Sequence, residues 1–346
     1  INYNFIFFNM IILGIETSCD ETAASVVEYK NNKKKVLSNI LYSQFKEHRP
    51  YGGVVPEIAF REHIKLIDKI ILQALKVSKK KFKNIDAVAA TGGPGLLGGL
   101  LIGTTTAKSL ALSINKPYLP INHLEGHILS PRIEYNLNFP YLVLLVTGGH
   151  TMLVIAHKIG KYQILGSTLD DALGEAFDKV AKLLNLKFPG GPEIEKLAKK
   201  GFPIFQLAQP LLKSNDCNFS FSGLKTSSRR IIELKKKRRK FKYDMCASFQ
   251  YTVYKILKAK CERAFQIFKK KYPNKNSFVV VGGVASNNFL RKKIKKLSNS
   301  FKFNFYVPKK IFCTDNAAMI AWAAIEKYKF TQKNNFYFQP LPRWSI

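Results

Sequence analysis

The sequence predicts an α/β protein of two lobes, duplicated from one plan around a central cleft. Two recurrences and the length carry this. An apolar strand at residues 11–15 passes through a polar turn, 16–22, into a second strand at 23–29; the same order returns at 141–146, 147–151 and 152–155. After each hairpin comes a strand, a glycine turn and a helix: residues 86–90 lead into Thr91-Gly92-Gly93-Pro94-Gly95, and 278–281 lead into Gly282-Gly283 and a helix around 288–297. At 346 residues and 46% hydrophobic content the chain is long enough to bury two cores.

The elements are justified in chain order. Residues 1–8 are apolar but lack a basic start and a cleavage site, so residues 1–10 read as an extension before a start at Met10. Each hairpin shows an apolar run bounded by Gly, Thr, Ser or Asp. Each strand–glycine–helix unit puts backbone N–H groups and a helix N-terminus where a phosphate would sit. Taken singly, such a turn is only a tight connection. Residues 167–186 read as a helix broken by Phe188-Pro189-Gly190-Gly191-Pro192. The last helix, 316–328, carries Ala317, Ala318, Ile320, Ala321, Ala324 and Ile325 at helical spacing and should pack on a sheet. The first lobe is expected from 11–135 with 316–346, and the second from 136–315.

Charge narrows the partners. Against 56 Lys+Arg stand 23 Asp+Glu, a formal net charge of +33, which favours a polyanion such as nucleic acid. Lys, Asn, Ile, Phe and Tyr are abundant together, so part of the excess is compositional drift that solvates the surface. The basic run at 234–242 is most simply an exposed face. Cys19, Cys217, Cys246, Cys261 and Cys313 form no C-x-x-C pair, which argues against a disulfide framework or zinc knuckle and fits a reducing cytosol. No apolar run reaches the roughly 20 residues of a membrane span, so a soluble protein is expected.

Chemistry concentrates in a few places. His123-Leu124-Glu125-Gly126-His127 spaces two imidazoles four apart, on one helical face and within reach of one metal ion. Zinc proteases place the glutamate directly after the first histidine; here Glu125 sits two later and points away, which counts against peptide hydrolysis. Two polar residues on a solvated face remain the plain alternative. A third ligand must come from another segment. Asp315, in Cys313-Thr314-Asp315-Asn316, is either the N-cap of the last helix or a residue bordering the cleft. Asp171, Glu175 and Asp178 would share one helical face, where they need a bound diol or cation, or salt bridges to Lys179 and Lys182.

Together with Glu16-Thr17-Ser18-Cys19-Asp20-Glu21-Thr22, Tyr51-Gly52-Gly53-Val54-Val55-Pro56-Glu57, Gly93-Pro94-Gly95-Leu96, Thr147-Gly148-Gly149-His150-Thr151 and Phe219-Ser220-Phe221-Ser222-Gly223-Leu224-Lys225-Thr226, these stretches resemble the signatures of the tRNA N6-adenosine threonylcarbamoyltransferase family, in that family's order from about residue 11 to 344. The resemblance implies the actin/hexokinase/Hsp70-type two-lobed fold. It implies that His123, His127 and Asp315 hold one divalent ion, iron before zinc. It implies that Val146, Thr147, Gly148, Gly149 and His150 line a threonylcarbamoyl-adenylate site whose adenylate portion is held by Asp178, Gly191 and Asn287. The implied reaction moves the threonylcarbamoyl group from threonylcarbamoyl-AMP to N6 of adenosine 37 in tRNA, in the cytoplasm, with a same-fold paralogue and a small ATPase as partners and no membrane. Thr147 stands where the family more often has Ser, and keeps the hydroxyl; Leu341-Pro342-Arg343-Trp344 replaces a tail that more often starts with Arg. Rival readings are a small-molecule kinase of the same fold, a metalloprotease and a non-catalytic scaffold.

Overall fold

The structure is a computed structural model that describes residues 9–235, 240–329 and 334–346. Its strands are β1 (Met10–Glu16), β2 (Glu21–Lys30), β3 (Lys33–Ser43), β4 (Ala87–Gly93), β5 (Tyr118–Asn122), β6 (Tyr141–Val146), β7 (Thr151–Lys158), β8 (Lys161–Ser167), β9 (Ser277–Val281) and β10 (Asn304–Tyr306). Its helices are α1 (Phe45–His48), α2 (Pro56–Ser78), α3 (Leu97–Ser113), α4 (His123–Leu129), α5 (Leu173–Leu183), α6 (Gly190–Ala198), α7 (Ser222–Lys235), α8 (Phe241–Lys271), α9 (Asn288–Ser300), α10 (Lys310–Cys313) and α11 (Ala317–Tyr328).

The chain divides into two units, one of Ile1–His48, Val54–Asn136 and Asp315–Ile346, the other of Arg49–Gly53 and Leu137–Thr314. Asp315 thus falls in the first unit rather than the second, because it leads directly into the helix that packs on β1. A short stretch around Tyr51 falls in the second.

Each unit holds a five-stranded sheet, ordered β3-β2-β1-β4-β5 in the first and β8-β7-β6-β9-β10 in the second. The correspondence is complete. β1 pairs antiparallel with β2 and parallel with β4, as β6 pairs antiparallel with β7 and parallel with β9. The duplicated hairpins and strand–glycine–helix units expected from the sequence are therefore the same topology used twice. β1, β4, β6 and β9 are covered on both faces, which is why they read as unbroken apolar runs rather than alternating ones.

In the first unit α2 and α3 cover one face of the sheet and α11 the other. The contact of α11 with β1 is close enough that a Cβ at Gly14 would lie 2.5 Å from the Ala317 carbonyl oxygen and 2.7 Å from the Ala321 nitrogen. The alanine-rich face of α11 and Gly14 are complementary features of one interface. In the second unit, long α8 supplies Phe249, Phe265 and Phe268 to a core shared with β6, β9 and α5.

Two expectations change, and a third falls partly outside the described residues. The helix expected over 167–186 begins only at Leu173, because β8 continues through Ser167 and pairs with β7. Pro189-Gly190-Gly191-Pro192 is a short break, since Gly190 already opens α6. Of the basic run 234–242, residues 236–239 lie outside the described residues, with α7 ending before them and α8 beginning after. Among the described residues no helix is long and apolar enough to cross a membrane.

Candidate metal centre and glycine-turn site

His123 and His127 sit on α4, which starts immediately after β5. Asn122 caps it, its Oδ1 accepting the Leu124 and Glu125 N–H groups at 2.9 and 3.3 Å. The amide group of the same side chain donates to the Trp344 and Ser345 carbonyls at 3.1 and 3.3 Å. The four-residue spacing brings the two rings edge to face, with centroids 4.8 Å apart.

Asp315 arrives from the other end of the chain. Its Oδ1 lies 3.0 Å from His127 Nε2 and 3.5 Å from His123 Nε2. One donor atom from each of the three residues lies within 4.8 Å of the others. Asp315 is not the helix cap: Asn316 is, and its Oδ1 accepts the Met319 N–H at 3.0 Å. Glu125 is turned away, buried and paired with Lys327 at 3.3 Å.

The electrostatics favour a cation here. Burial opposes the charge of His123, but the carboxylates of Asp315 and Glu16 outweigh it and raise the imidazole to about 10. Burial would raise Asp315 as well; the two imidazoles hold it far below the usual carboxylate range instead. His127 is held below its ordinary value, first by burial and then by the neighbouring imidazole, and its Nδ1 is buried without a hydrogen-bond partner. Two imidazole nitrogens and one carboxylate make a donor set suited to Fe2+ or Zn2+, with the remaining positions open to water or substrate. The residues fit such an ion.

Sequence reasoning missed what stands behind His123. Glu16, the last residue of β1 and fully buried, places Oε2 3.1 Å from His123 Nδ1, while Ser18 Oγ is 3.2 Å from that nitrogen. The turn after β1 is held by α3: Thr17 Oγ1 donates to the Gly99 carbonyl at 2.8 Å, and Leu96 N–H to the Ser18 carbonyl at 2.7 Å. A glutamate ending a wholly apolar strand was the available signal.

In the second unit the turn between β6 and β7 carries Val146, Thr147, Gly148, Gly149 and His150. Thr147 N–H donates to the His150 carbonyl at 2.8 Å and Thr147 Oγ1 accepts the His150 N–H at 3.0 Å, so the hydroxyl shapes the turn. A Cβ at Gly148, Gly149 or Gly191 would meet nothing within 4 Å, which leaves bare backbone facing open space. Gly282, at φ +96°, packs so closely on the end of β6 that a Cβ would lie 2.3 Å from the Val146 carbonyl oxygen. Gly282, just after β9, thus lies against Val146 and Thr147 at the carboxyl ends of two parallel strands, the usual place for a ligand in an α/β sheet.

Other expected residues are engaged locally. Asp178 Oδ1 accepts the Gly190 N–H at 2.6 Å, tying α5 to the start of α6 beside Gly191. Asn287 caps α9 through Leu290 N–H at 3.0 Å and donates to Gln250 Oε1 at 2.8 Å. Asp171 precedes α5 and shares Lys179 with Glu175, at 2.6 and 2.8 Å, so salt bridging accounts for these two carboxylates. The Gly92–Gly95 turn is filled by the chain itself: Leu341 N–H donates to the Gly92 carbonyl at 2.8 Å and Gly95 N–H to the Pro342 carbonyl at 3.2 Å. A Cβ at Gly92 would strike Phe338. That turn therefore offers no phosphate seat.

Comparison with known proteins gives a family and a fold. A family model described as tRNA N6-adenosine threonylcarbamoyltransferase matches residues 35–322. A protein of that name from Paramagnetospirillum magneticum is 45% identical over 340 residues, covering 97% of both chains. One from Rickettsia rickettsii is 47% identical over 339 residues, covering 97% of this chain and 98% of its own. Among solved structures, HypF from T. kodakarensis shares the fold at a TM-score of 0.60 and 15% identity, over 93% of this chain and 48% of its own. The (R)-2-hydroxyglutaryl-CoA dehydratase component A of Acidaminococcus fermentans does so at a TM-score of 0.51 and 14% identity, over 92% of this chain and 99% of its own.

Proposed function

Since the chain belongs to the tRNA N6-adenosine threonylcarbamoyltransferase family, we propose that it forms t6A by moving the threonylcarbamoyl group of threonylcarbamoyl-AMP to N6 of adenosine 37, in tRNAs that read codons beginning with A. The observation that carries the reading is the donor set of His123, His127 and Asp315, drawn together from segments 188 residues apart.

The donor is a mixed anhydride, so its carbonyl is activated and AMP leaves readily. The acceptor is a weak nucleophile, because the amine lone pair is delocalised into the adenine ring. The task is orientation of the two, together with stabilisation of charge on the carbonyl oxygen. Gly148 and Gly149, between the two ends of the Thr147–His150 turn, leave bare backbone facing open space, which suits the acyl and phosphate oxygens. Asp178 and Asn287 hold the backbone beside Gly191 and α9 in place for the adenylate portion. His123, His127 and Asp315 would hold one divalent ion, Fe2+ or Zn2+, which when bound supplies Lewis-acid polarisation and a template. The target base lies in an anticodon loop, where it is exposed at little unstacking cost.

A same-fold paralogue and a small ATPase are the proposed partners, in the cytoplasm. The rival readings are less well supported. A protease needs Glu125 at the ion, and Glu125 is buried against Lys327. A non-catalytic scaffold would not need a complete donor set, and a small-molecule kinase would need no histidine pair.

The test combines the chain with the synthase that makes the adenylate, threonine, bicarbonate, ATP and a tRNA bearing adenosine 37, with and without the two partners. Modified nucleoside is measured by mass spectrometry. Turnover is expected with partners and little without. No modified nucleoside in the full mixture overturns the assignment, and many turnovers by the chain alone overturn the partner dependence.

A further inference from the structure

We infer that Glu16 is a positioning residue of the metal centre, fixing the His123 ring so that Nε2 is presented beside Asp315 and Nδ1 is held from behind. This rests on the reading that His123, His127 and Asp315 hold a metal. An imidazole can offer either nitrogen, and what the other nitrogen meets decides which one faces a metal. Here Nε2 is 3.5 Å from Asp315 Oδ1, and Nδ1 is 3.1 Å from Glu16 Oε2.

The carboxylate is itself fixed from two sides. Oε1 accepts the Ser18 N–H at 2.6 Å, and Oε2 accepts the Thr91 hydroxyl at 2.5 Å. Thr91 belongs to β4, the strand beside β1 in the sheet, so the orientation of His123 is referred to the sheet and not to its own short helix. Glu16 is fully buried, and leaving a carboxylate there is costly unless it interacts with something positive or hydrogen-bonding. A carboxylate accepting Nδ1–H selects the tautomer with a free Nε2 lone pair and makes that nitrogen a stronger ligand.

Two features separate this role from mere packing. Ser18 Oγ also approaches Nδ1, at 3.2 Å, but a hydroxyl is the weaker acceptor beside an ionised carboxylate. His127 has no equivalent, its Nδ1 being buried without a hydrogen-bond partner. Only one of the two rings is braced in this way, so the effect of Glu16 should appear in ligand strength at His123.

The experiment uses the full chain, stripped with chelator and titrated with Co2+. Visible absorption reports the ligand field, and competition with a chromophoric chelator gives affinity. Glu16→Gln keeps the shape and an acceptor oxygen but removes the charge. It should weaken Co2+ by about 10–100-fold and shift the absorption bands. Melting of the stripped protein should stay close to wild type. Ser18→Ala should remain within about threefold, and Thr91→Val, which frees Oε2, should fall between the two. Wild type that binds while Glu16→Gln binds equally well, with unchanged bands, overturns the inference. If Glu16→Gln does not fold, Thr91→Val decides, and wild-type affinity in that variant overturns it. Wild type that binds no Co2+ removes the metal reading itself, a result distinct from equal binding by both proteins.

Discussion

Asn316 takes the cap of α11 and leaves its neighbour Asp315 facing His127, 3.0 Å from Nε2. Adjacent residues of similar shape thus have separable tasks. Asp315→Ala should lose bound metal, measured by plasma mass spectrometry, with little change in melting temperature. Asn316→Ala should cost about 1–2 kcal/mol, because the Met319 N–H loses its acceptor, while metal is retained. Equal metal content in wild type and Asp315→Ala would remove Asp315 from the donor set.

Lys327 is the partner of Glu125, a side chain only 4% exposed. Lys327→Met should destabilise the chain by about 1–3 kcal/mol in urea unfolding, since a buried carboxylate loses its lysine. Glu125→Gln should keep the metal and leave tRNA modification near wild type. A large loss of turnover in Glu125→Gln, at unchanged metal content, would bring Glu125 back as a reacting group.

Much of this was legible in the sequence because period and spacing are local properties. Residues 11–29 and 141–155 announced hairpins by apolar runs around polar turns, and His123 with His127 announced one helical face. Relations between distant segments were not legible. Nothing near Glu16 says that β1 lies beside β4 and ends behind α4, and nothing in Gly92-Gly93 says that Phe338 and Leu341 fill its surroundings. Asp315 was ambiguous for the opposite reason: Asp is so good a helix cap that only the cap formed by Asn316 frees it. The helix expected over 167–186 started too early because the carboxylates of Asp170 and Asp171 look like a helical first turn, whereas Asp170 serves the chain around Ser220.

Asp170 gives a pH dependence of defined sign. Burial would raise its pKa, but donation from Ser220 Oγ, Phe221 N–H, and the hydroxyl and N–H of Ser222 lowers it below the ordinary value. A carboxyl with a lower pKa folded than unfolded contributes stability above the unfolded value of about 3.9, and loses it as pH falls through the folded value. Asp170→Asn should therefore be less stable than wild type near neutrality, with the gap closing at low pH. Urea midpoints of both proteins across that range check this. A gap that widens in acid would contradict the assignment.

Gly14 tests the seat of α11. Its missing Cβ leaves room for the Ala317 carbonyl and Ala321, so Gly14→Ala should push the helix from β1 and cost about 1–3 kcal/mol. Because Asp315 directly precedes this helix, Co2+ affinity should fall as well. Unchanged stability and unchanged affinity would show that α11 relaxes without disturbing the donors.

Asn122 joins the cap of α4 to the C-terminal segment, and two substitutions separate those roles. Asp caps a helix as well as Asn does, but it cannot donate to the Trp344 and Ser345 carbonyls. Asn122→Asp should therefore hold α4 and release the segment, whereas Asn122→Ala should lose both and cost a further ~1 kcal/mol. Trp344 reports the release. It packs at a tilt against Phe338 with centroids 5.0 Å apart, and the other tryptophan of the sequence, Trp322, is fully buried and shielded from a soluble quencher. Acrylamide quenching should rise in both variants through Trp344 alone, with the melting temperature falling mainly in Asn122→Ala. Quenching unchanged in Asn122→Asp would mean that the contacts at Gly92, Gly95 and Lys108 hold the segment without Asn122.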